Sequence, residues 1–226
     1  MHRSLITVFD FFLPRFCAGC NKKLKADEKS VCTECLKSIL TANENILKSE
    51  YERKFSSSEI IKDFYSRYIF ETDKALQAII HALKYESKFG LGIFLGEKIS
   101  EGLKLLNWNI DLILPVPIHQ LKKAERGYNQ SDFIVKGLSK SLEIPFSTKV
   151  MRRTRFTESQ TGLNIKERAA NVEDAFTLRK KRKITGKNIL LVDDVITTGA
   201  TILECGKVLI DSGAKAVYAC SIAIAE

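Results

Sequence analysis

The hydrophobic positions along most of the chain alternate between two periods, that of a strand and that of a helix. Apolar residues at every second position or in short runs are typical of strands, and apolar residues three and four apart are typical of helices. The pattern predicts strands over Tyr65–Phe70, Asp111–Val116, Phe146–Val150, Asn188–Val192 and Ala216–Ile224, and helices over Lys74–Lys84, Leu91–Leu106, Tyr128–Leu142 and Thr201–Asp211. This alternation predicts an α/β fold, a mostly parallel sheet covered by helices on both faces.

A polar segment from about Thr41 to Ser58 precedes this pattern and ends in three serines. Such a composition is typical of a linker. We therefore predict an N-terminal helix and cysteine module over residues 1–45, a linker over 46–62 and the α/β domain over 63–226. A chain of 226 residues is long enough for that domain to bury a substantial core.

The N-terminal run Leu5–Phe16 is apolar but contains Asp10 and Pro14. It is too short to span a bilayer and has no small-residue cleavage site, so we predict a short docking helix in a cytoplasmic protein without a membrane span. Lys and Arg number 36 against 27 Asp and Glu, which gives a formal net charge of +9. A surface of this charge attracts phosphates, whether on a metabolite or on a nucleic acid.

Four of the six cysteines form two C-x-x-C pairs, Cys17 with Cys20 and Cys32 with Cys35. Each pair offers two sulfurs to one metal ion, so the two pairs together predict a tetrahedral structural Zn²⁺ site. An iron–sulfur cluster uses the same ligands and stays open as an alternative. Disulfides are disfavoured without a secretion signal. The other two cysteines lie in apolar periodic segments and are predicted to belong to the core.

The stretch ILLVDDVITTGAT, residues 189–201, contains the main candidate functional residues of the second half of the chain. An apolar strand ends at two adjacent carboxylates, Asp193 and Asp194, and a small, hydroxyl-rich turn then leads into a helix. Ligands of open α/β sheets bind at the carboxyl ends of strands, and the amides of such a turn, together with the helix dipole, favour a phosphate. The carboxylates are suited to accept hydrogen bonds from vicinal sugar hydroxyls. Phosphate and diol together describe a ribose 5-phosphate.

Two other classes of protein place carboxylates after a strand. A P-loop ATPase requires G-x-x-x-x-G-K-[ST], which the sequence lacks. A phosphoacceptor receiver domain has most of its sheet after the paired aspartates, whereas only the last 32 of the 226 residues follow Asp194. An ordinary polar turn would leave two carboxylates at a buried edge without compensation.

Residues 190–201, LLVDDVITTGAT, resemble the phosphoribosyl-pyrophosphate (PRPP) motif of type I phosphoribosyltransferases. Four further stretches narrow the resemblance: the paired CAGC and CTEC, ALKYESKFGLG at 82–92, PVPIHQLKKAERGYNQS at 115–131 and RTRFTESQTGLNIKERAANVEDAF at 153–176. In this order they resemble the ComF family of competence-associated proteins, also called ComFC or GntX-like, over nearly the whole chain.

This resemblance implies a type I phosphoribosyltransferase-like domain that binds PRPP with Mg²⁺. Asp193 and Asp194 would hold the ribose 2′- and 3′-hydroxyls, directly or through Mg²⁺, an ion that bridges phosphate and hydroxyl oxygens while keeping much of its water. Pro117 and Ile118 would belong to the pyrophosphate loop. The 5-phosphate would be cradled by Val195, Thr197, Thr198, Gly199, Ala200 and Thr201.

Two further stretches would complete the site. The stretch Arg126–Gln130 precedes a helix, and within it Arg126 is a candidate to neutralise pyrophosphate, with an ordinary surface arginine as the alternative. The segment Arg153–Leu163 matches the loop that closes over PRPP in the superfamily, where a lid keeps water from an oxocarbenium-like centre. Within it Arg153, Thr157 and Gln160 match the family pattern.

Other residues keep two interpretations. Arg168 and Asn171 match the family but are equally suited to structural hydrogen bonds. Lys84 and Tyr85 either approach the site or end a helix whose dipole favours the lysine.

The acceptor of the phosphoribosyl group is not predicted, and neither His81 nor His119 is assigned as a general base. The family implies DNA uptake in natural transformation, with single-stranded DNA and competence proteins such as a DNA-translocating helicase as partners. The alternative function is a non-catalytic, single-stranded-DNA-binding accessory protein that uses the PRPP site as a regulatory pocket. Its DNA contacts would be Arg179–Lys183 and five lysines of the cysteine module, Lys22, Lys23, Lys25, Lys29 and Lys37. A short charge run is otherwise an exposed loop.

Overall fold

The structure of the chain, a computed structural model, describes residues 14–72, 74–156 and 173–225. Its helices are α1 Thr33–Ser38, α2 Glu44–Lys54, α3 Ala75–Tyr85, α4 Phe89–Leu103, α5 Gln120–Arg126, α6 Gln130–Leu142 and α7 Ala200–Asp211. Its strands are β1 Ile61–Ile69, β2 Leu112–Pro115, β3 Met151–Arg153, β4 Phe176–Leu178, β5 Asn188–Ile196 and β6 Ala216–Ile224.

Four of these strands form one parallel sheet in the order β1-β6-β5-β2. Both faces of β5 are buried. Leu190 and Val192 pack into a core shared with α3, α4 and α6, whereas Ile189 and Leu191 pack into a second core shared with α7. The predicted α/β fold with helices on both faces is therefore confirmed.

The strand predicted over Phe146–Val150 is wrong. Only Phe146 makes a bridge, a single parallel one with Ile113. The hydroxyl of Ser147 then accepts a hydrogen bond from the Lys149 amide (3.5 Å), so the chain turns instead of continuing a ladder. The strand that follows, β3, pairs antiparallel with β4 in a separate two-stranded ribbon.

The segment predicted as a linker contains a helix. In α2 the buried carboxylate of Glu50 contacts Arg53 (2.6 Å) and Lys54 (2.8 Å), and the Lys54 Nζ also donates to the Ala225 carbonyl (3.0 Å). Phe55 follows with no exposed surface and packs on Phe64 at 5.5 Å between ring centroids. The polar composition indicated an exposed linker, whereas these charged groups form ion pairs within the fold. The division into residues 1–45 and 63–226 stays a prediction.

The cysteine module packs against the α/β core. Cys17, Cys32 and Cys35 belong to the same hydrophobic cluster as Leu76 and Ile79 of α3. The chain then joins the sheet through an antiparallel bridge between Thr41 and Tyr68. Among the described residues, no helix is both long and apolar enough to cross a membrane.

The helices α4 and α6 meet at two glycines. A Cβ on Gly96 would lie 2.2 Å from the carbonyl oxygen of Ile134, and one on Gly137 would lie 2.1 Å from that of Ile93. The backbones therefore approach more closely than any side chain permits. This contact fixes α6, whose first turn carries Gln130 and Ser131.

We expect Gly137→Ala to lower the free energy of unfolding by about 1–3 kcal/mol, because the added methyl group must push the two helices apart. Gly90→Ala is the control, since a Cβ there has no neighbour within 4 Å and alanine favours a helix. Urea denaturation of both variants checks this. Equal stability of Gly137→Ala and the parent chain would contradict the close approach.

Candidate functional site

The two aspartates lie where β5 extends beyond β2. The pairing of β5 with β2 ends at Val192, opposite Pro115, whereas its pairing with β6 continues to Ile196. Asp193 and Asp194 therefore lie inside β5, not after it as the predicted strand boundary had it. One side of this part of the strand is open, and side chains from α3 and α6 reach the carboxylates there.

Asp194 is buried, and two side chains compensate its carboxylate. Lys84 Nζ, at the end of α3, lies 3.0 Å from Asp194 Oδ2. Gln130 Nε2, at the start of α6, donates to the same oxygen at 3.0 Å. Burial opposes the charge of Lys84, but the attraction of Asp194 outweighs it and raises the pKa of the lysine. Sequence reasoning left Lys84 with two interpretations, and the structure places it in the site.

Asp193 lies beside this pair and is held differently. Its Oδ1 accepts the Asp194 amide (2.9 Å) and the hydroxyl of Ser131 (3.4 Å). Part of Asp193 stays accessible at the mouth of the site, yet protein atoms surround its carboxyl closely. Loss of solvation, followed by repulsion from Asp194, raises the pKa of Asp193 to about 7.

The turn after β5 leads directly into α7. Gly199 has φ +80° and precedes the helix, and a Cβ on it would lie 2.9 Å from the ring of Phe55. The Thr198 hydroxyl accepts the Ala200 amide at 3.4 Å. The first amides of α7 have no partner within the helix and point towards the turn. Val195, Thr197 and Thr201 flank the same turn, so the structure brings together all six residues assigned to the phosphate cradle.

Pro117 and Ile118 follow β2 on the other side of the aspartates. The side-chain Nδ2 of Asn129 donates to the Val116 carbonyl (3.0 Å) and so ties this loop to α6. Beside the loop is a cavity of about 170 Å³. Its basic lining consists of Lys123, Arg152, Arg153 and Arg179.

The cations near the aspartates influence one another. Burial, then repulsion from Arg153, Arg126 and Lys84, lowers the pKa of Lys122. Burial also lowers the pKa of Arg153, while Asp193 counteracts this effect. Lys84, Arg126 and Arg153 are therefore all close enough to repel Lys122, which favours an anion near this group of cations.

Arg126 connects the site to the end of α3. Its Nη1 donates to Gln130 Oε1 (3.2 Å), its Nη2 donates to Tyr85 Oη (3.4 Å), and its guanidinium lies 5.1 Å from the centroid of the Tyr85 ring. Its Nε–H is buried without a hydrogen-bond partner in the described part of the chain. His119 instead caps α5, where its Nδ1 accepts the Leu121 amide (3.2 Å).

Several predicted residues lie outside the described ranges. These are Thr157, Gln160, Arg168 and Asn171, together with most of the predicted N-terminal helix. Gln130 was predicted only as part of the stretch Arg126–Gln130, without a role of its own, and Ser131 was not predicted as a site residue. Their role depends on where α6 meets β5, which periodicity does not indicate.

The four N-terminal cysteines form a compact cluster. Their sulfurs all lie within 4.8 Å of one another, and the Cys20 and Cys32 sulfurs are 3.8 Å apart. Four thiolates about 2.3 Å from one Zn²⁺ would have sulfurs about 3.8 Å apart. The cluster is therefore compatible with a structural zinc site.

Backbone amides donate to two of these sulfurs, those of Cys17 and Cys32. Burial opposes ionisation of Cys17, but the amides of Cys32 (3.2 Å) and Gly19 (3.3 Å) donate to its sulfur and lower its pKa to about 7. The loop between the two pairs is held by Glu28, whose carboxylate accepts the amides of Lys25 and Thr33 at 2.8 Å each. These contacts fix both pairs in the chelating arrangement.

The parallel sheet therefore carries the paired aspartates and the turn before α7 on one strand, β5, which leads directly into α7. A family model described as the phosphoribosyl transferase domain matches residues 96–225, more than half of the chain. The chain therefore belongs to the phosphoribosyl transferase domain family.

Curated relatives narrow this assignment. The chain is 28% identical over 220 residues to Competence protein F of Haemophilus influenzae, covering 92% of this chain and 89% of that protein. It is 25% identical over 215 residues to Competence protein ComFC of Streptococcus pneumoniae, covering 91% of this chain and 86% of that protein. These two relatives confirm the resemblance to the ComF family.

A third relative and a solved structure match a smaller share of this chain than the two competence proteins do. The chain is 32% identical over 151 residues to the DNA utilization protein YhgH of Escherichia coli, covering 63% of this chain and 64% of that protein. The structure of glutamine PRPP amidotransferase from B. subtilis, complexed with ADP and GMP, matches with a TM-score of 0.44 and 17% identity. That match covers 62% of this chain and 30% of the amidotransferase.

We expect Lys84→Met to lower the free energy of unfolding by about 3 kcal/mol, because it leaves the Asp194 carboxylate without its counterion. This value is the lower end of what breaking a buried ion pair costs. Adding Asp194→Asn should recover much of that loss. Lys88→Met is the matched control, since Lys88 pairs with Glu86 at 2.8 Å where both side chains are at least 40% exposed. Urea denaturation of the parent chain, Lys84→Met, Asp194→Asn and the double variant gives the coupling energy between the two residues. Equal effects of Lys84→Met and Lys88→Met would contradict the assigned role of Lys84.

Proposed function

We propose that this protein binds PRPP with Mg²⁺ and transfers its phosphoribosyl group to an acceptor in a process connected with DNA uptake or use. The observation that carries the proposal is the position of the aspartate pair in a phosphoribosyl transferase domain, between the turn before α7 and the cations beside Pro117. PRPP has its 5-phosphate, its ribose diol and its pyrophosphate in the same order.

The 5-phosphate fits the turn from Thr197 to Thr201. The amides at the start of α7, the hydroxyls of the turn and the helix dipole all favour an anion. Gly199 keeps the turn tight with its positive φ. The ring of Phe55 lies directly against Gly199, 2.9 Å from where a Cβ would be, and so supports the turn.

The ribose hydroxyls fit the aspartates. Each hydroxyl has a proton to donate, and ionised carboxylates only accept. Lys84 and Gln130 occupy one oxygen of Asp194. Asp193 has only the weaker contact with Ser131 and one backbone amide, so it has capacity for a further donor at the mouth of the site.

The pyrophosphate fits the cations on the other side. Arg126 is held beside the aspartates by Gln130 and Tyr85, and its positive charge favours an anionic group there. Lys122 and Arg153 have pKa values lowered by burial, and an anion would relieve the repulsion that contributes to the lowering at Lys122. Mg²⁺, when bound with PRPP, would neutralise further charge on the phosphates.

These groups assist transfer by stabilising the charge that develops in it. The bond between ribose C1 and the pyrophosphate oxygen breaks, and pyrophosphate leaves with the electron pair towards Arg126, Arg153 and Lys122. The acceptor supplies the electron pair of the new bond to C1 and releases its proton to water. The nearby aspartates favour the positive charge of the oxocarbenium-like sugar.

The link with DNA rests on the names of the relatives, which are competence proteins and a DNA utilization protein. The second candidate function, single-stranded DNA binding without turnover, is favoured by five exposed lysines in the cysteine module. The run Arg179–Lys183 favours it less, because the run does not form one patch. Arg179 lines the cavity beside Pro117, whereas Lys181–Lys183 form a turn that leads to the amino end of β5.

We expect Asp193→Asn with Asp194→Asn to weaken PRPP binding at least about tenfold, because hydrogen bonds to charged groups contribute about 1.5–3 kcal/mol each. Titration calorimetry with PRPP and Mg²⁺ measures the affinity, and circular dichroism checks the fold. Asp211→Asn, at the exposed far end of α7, is the control. Unchanged PRPP affinity in the double variant would refute the assignment of the ribose site.

We also propose that Cys17, Cys20, Cys32 and Cys35 hold a structural Zn²⁺. The purified protein should contain about one zinc per chain, and Cys35→Ser should lose it because a closed site loses one of its four ligands. Cys205→Ala, which removes a buried thiol from α7, should retain the metal. Elemental analysis distinguishes zinc from iron. A protein with neither metal would contradict the ligand assignment.

A further inference from the structure

Three consecutive polar residues are buried at the start of α6. Asn129, Gln130 and Ser131 are each at most 4% exposed. A buried polar side chain is unfavourable unless it makes hydrogen bonds. Helix capping accounts for the first of the three, because Asn129 Oδ1 accepts the Ser131 amide (3.3 Å) at the start of the helix. Capping does not account for the burial of the two residues that follow.

Asn129 and Ser131 fix the start of α6 against two parts of the proposed site. Asn129 Nδ2 donates to the Val116 carbonyl, directly before the loop that begins at Pro117. Ser131 Oγ donates to Asp193 Oδ1 at 3.4 Å. The residue between them therefore starts from a fixed backbone position.

The Gln130 side chain joins a cation to a carboxylate. Its Oε1 accepts from Arg126 Nη1 at 3.2 Å, and its Nε2 donates to Asp194 Oδ2 at 3.0 Å. These partners admit one orientation of the amide, since a guanidinium only donates and an ionised carboxylate only accepts. A rotated amide would place oxygen against oxygen and N–H against N–H. Both ends of the amide are therefore used by charged groups of the site.

Arg126 depends on this contact for its position. It is the last residue of α5, and Gly127 follows it with φ +80°, so the helix ends directly after the arginine. A side chain of this length loses entropy when it is fixed and needs contacts to stay in one place. Among the described residues, its guanidinium donates to Gln130 at 3.2 Å and to Tyr85 at 3.4 Å. Gln130 is buried, whereas Tyr85 is 53% exposed, so Gln130 limits the motion of the guanidinium more.

We propose that Gln130 is a positioning residue that keeps Arg126 directed at the pyrophosphate while it supports Asp194 beside the ribose diol. The inference rests on the proposed function, because it assigns how the two ends of the same site are kept at a fixed separation. Transfer requires such a separation, since a small misplacement of the groups that bind the reactant costs much of the rate.

A neutral amide suits this role better than a direct contact between the two charged groups. Arginine and carboxylate form strong bidentate pairs, so a direct pair would draw Arg126 onto Asp194 and away from a ligand phosphate. The amide contacts both groups and neutralises neither. Arg126 keeps its positive charge for the pyrophosphate, and Asp194 keeps Lys84 as its counterion.

The test measures the affinity of the full-length chain for pyrophosphate with Mg²⁺ by titration calorimetry. This probe contains the leaving group but no ribose. Arg126→Met is made in the parent chain and in chains that carry Gln130→Met, Gln130→Ala or Gln130→Glu. Gln77→Met, the same substitution at an exposed position of α3, is the control background. Circular dichroism checks the fold of every chain.

In the parent chain we expect Arg126→Met to weaken pyrophosphate binding at least about tenfold, the lower end of what a hydrogen bond to a charged group contributes. With Gln130→Met or Gln130→Ala the same change should cost at most about threefold, because the guanidinium has already lost its support and the two effects do not add. Gln130→Glu keeps the oxygen that accepts from Arg126. In that chain, and in the Gln77→Met chain, Arg126→Met should cost about as much as in the parent.

Ribose 5-phosphate, which lacks the pyrophosphate, separates the two ends of the site. Gln130→Met should weaken its binding because Asp194 loses a donor, whereas Arg126→Met should leave its affinity unchanged. A residue that only supports Asp194 would affect ribose 5-phosphate and leave the affinity for pyrophosphate unchanged.

An equal cost of Arg126→Met in the parent chain and in the Gln130→Met and Gln130→Ala chains would overturn the proposal. So would an unchanged affinity for pyrophosphate in Gln130→Met, or the absence of any cost of Arg126→Met in the parent chain. A parent chain that binds pyrophosphate but not PRPP would refute the proposed function, and a Gln130-dependent effect of Arg126→Met in that chain would still support the positioning role. A parent chain that binds neither ligand would refute both.

Discussion

The structure depends on one buried carboxylate, that of Asp194 in the middle of a parallel sheet. An acid in such a position is unfavourable unless a cation and a hydrogen-bond donor accompany it. Lys84 and Gln130 provide these from two different helices. The end of α3 and the start of α6 are therefore constrained to meet at β5. The Tyr128 hydroxyl on the Leu83 carbonyl and the glycine contact between α4 and α6 hold them there.

The charge pattern of the site follows from this arrangement. Carboxylates occupy the centre, a helix N-terminus lies on one side and a group of lysines and arginines lies on the other. A ligand that is anionic only at one end would leave one of the two positive regions unsatisfied. A ligand with phosphates at both ends and hydroxyls between them would satisfy all three regions, and this charge pattern is what supports the proposal of PRPP over a simple nucleotide or an isolated phosphate.

The contiguous parts of the site were predictable from sequence, and the parts assembled by tertiary contacts were not. The aspartates and the turn to Thr201 form one motif with its own local chemistry. From the sequence alone Lys84 had two possible roles, because lysines are common at the carboxyl ends of helices. Phe55 was missed because the charges around it look solvated, although they are paired. The β3–β4 ribbon was missed because strands of three residues are too short to show a period.

The contact between Phe55 and Gly199 ties the turn before α7 to a helix that precedes the sheet. The stretch that matches the phosphoribosyl transferase domain begins at residue 96, yet the ring against Gly199 and the counterion of Asp194 both come from earlier in the chain. A chain cut back to the matched stretch would keep the aspartates and the turn but lose Phe55 and Lys84. The smallest unit that contains these contacts therefore starts at α2, which Asn43 caps.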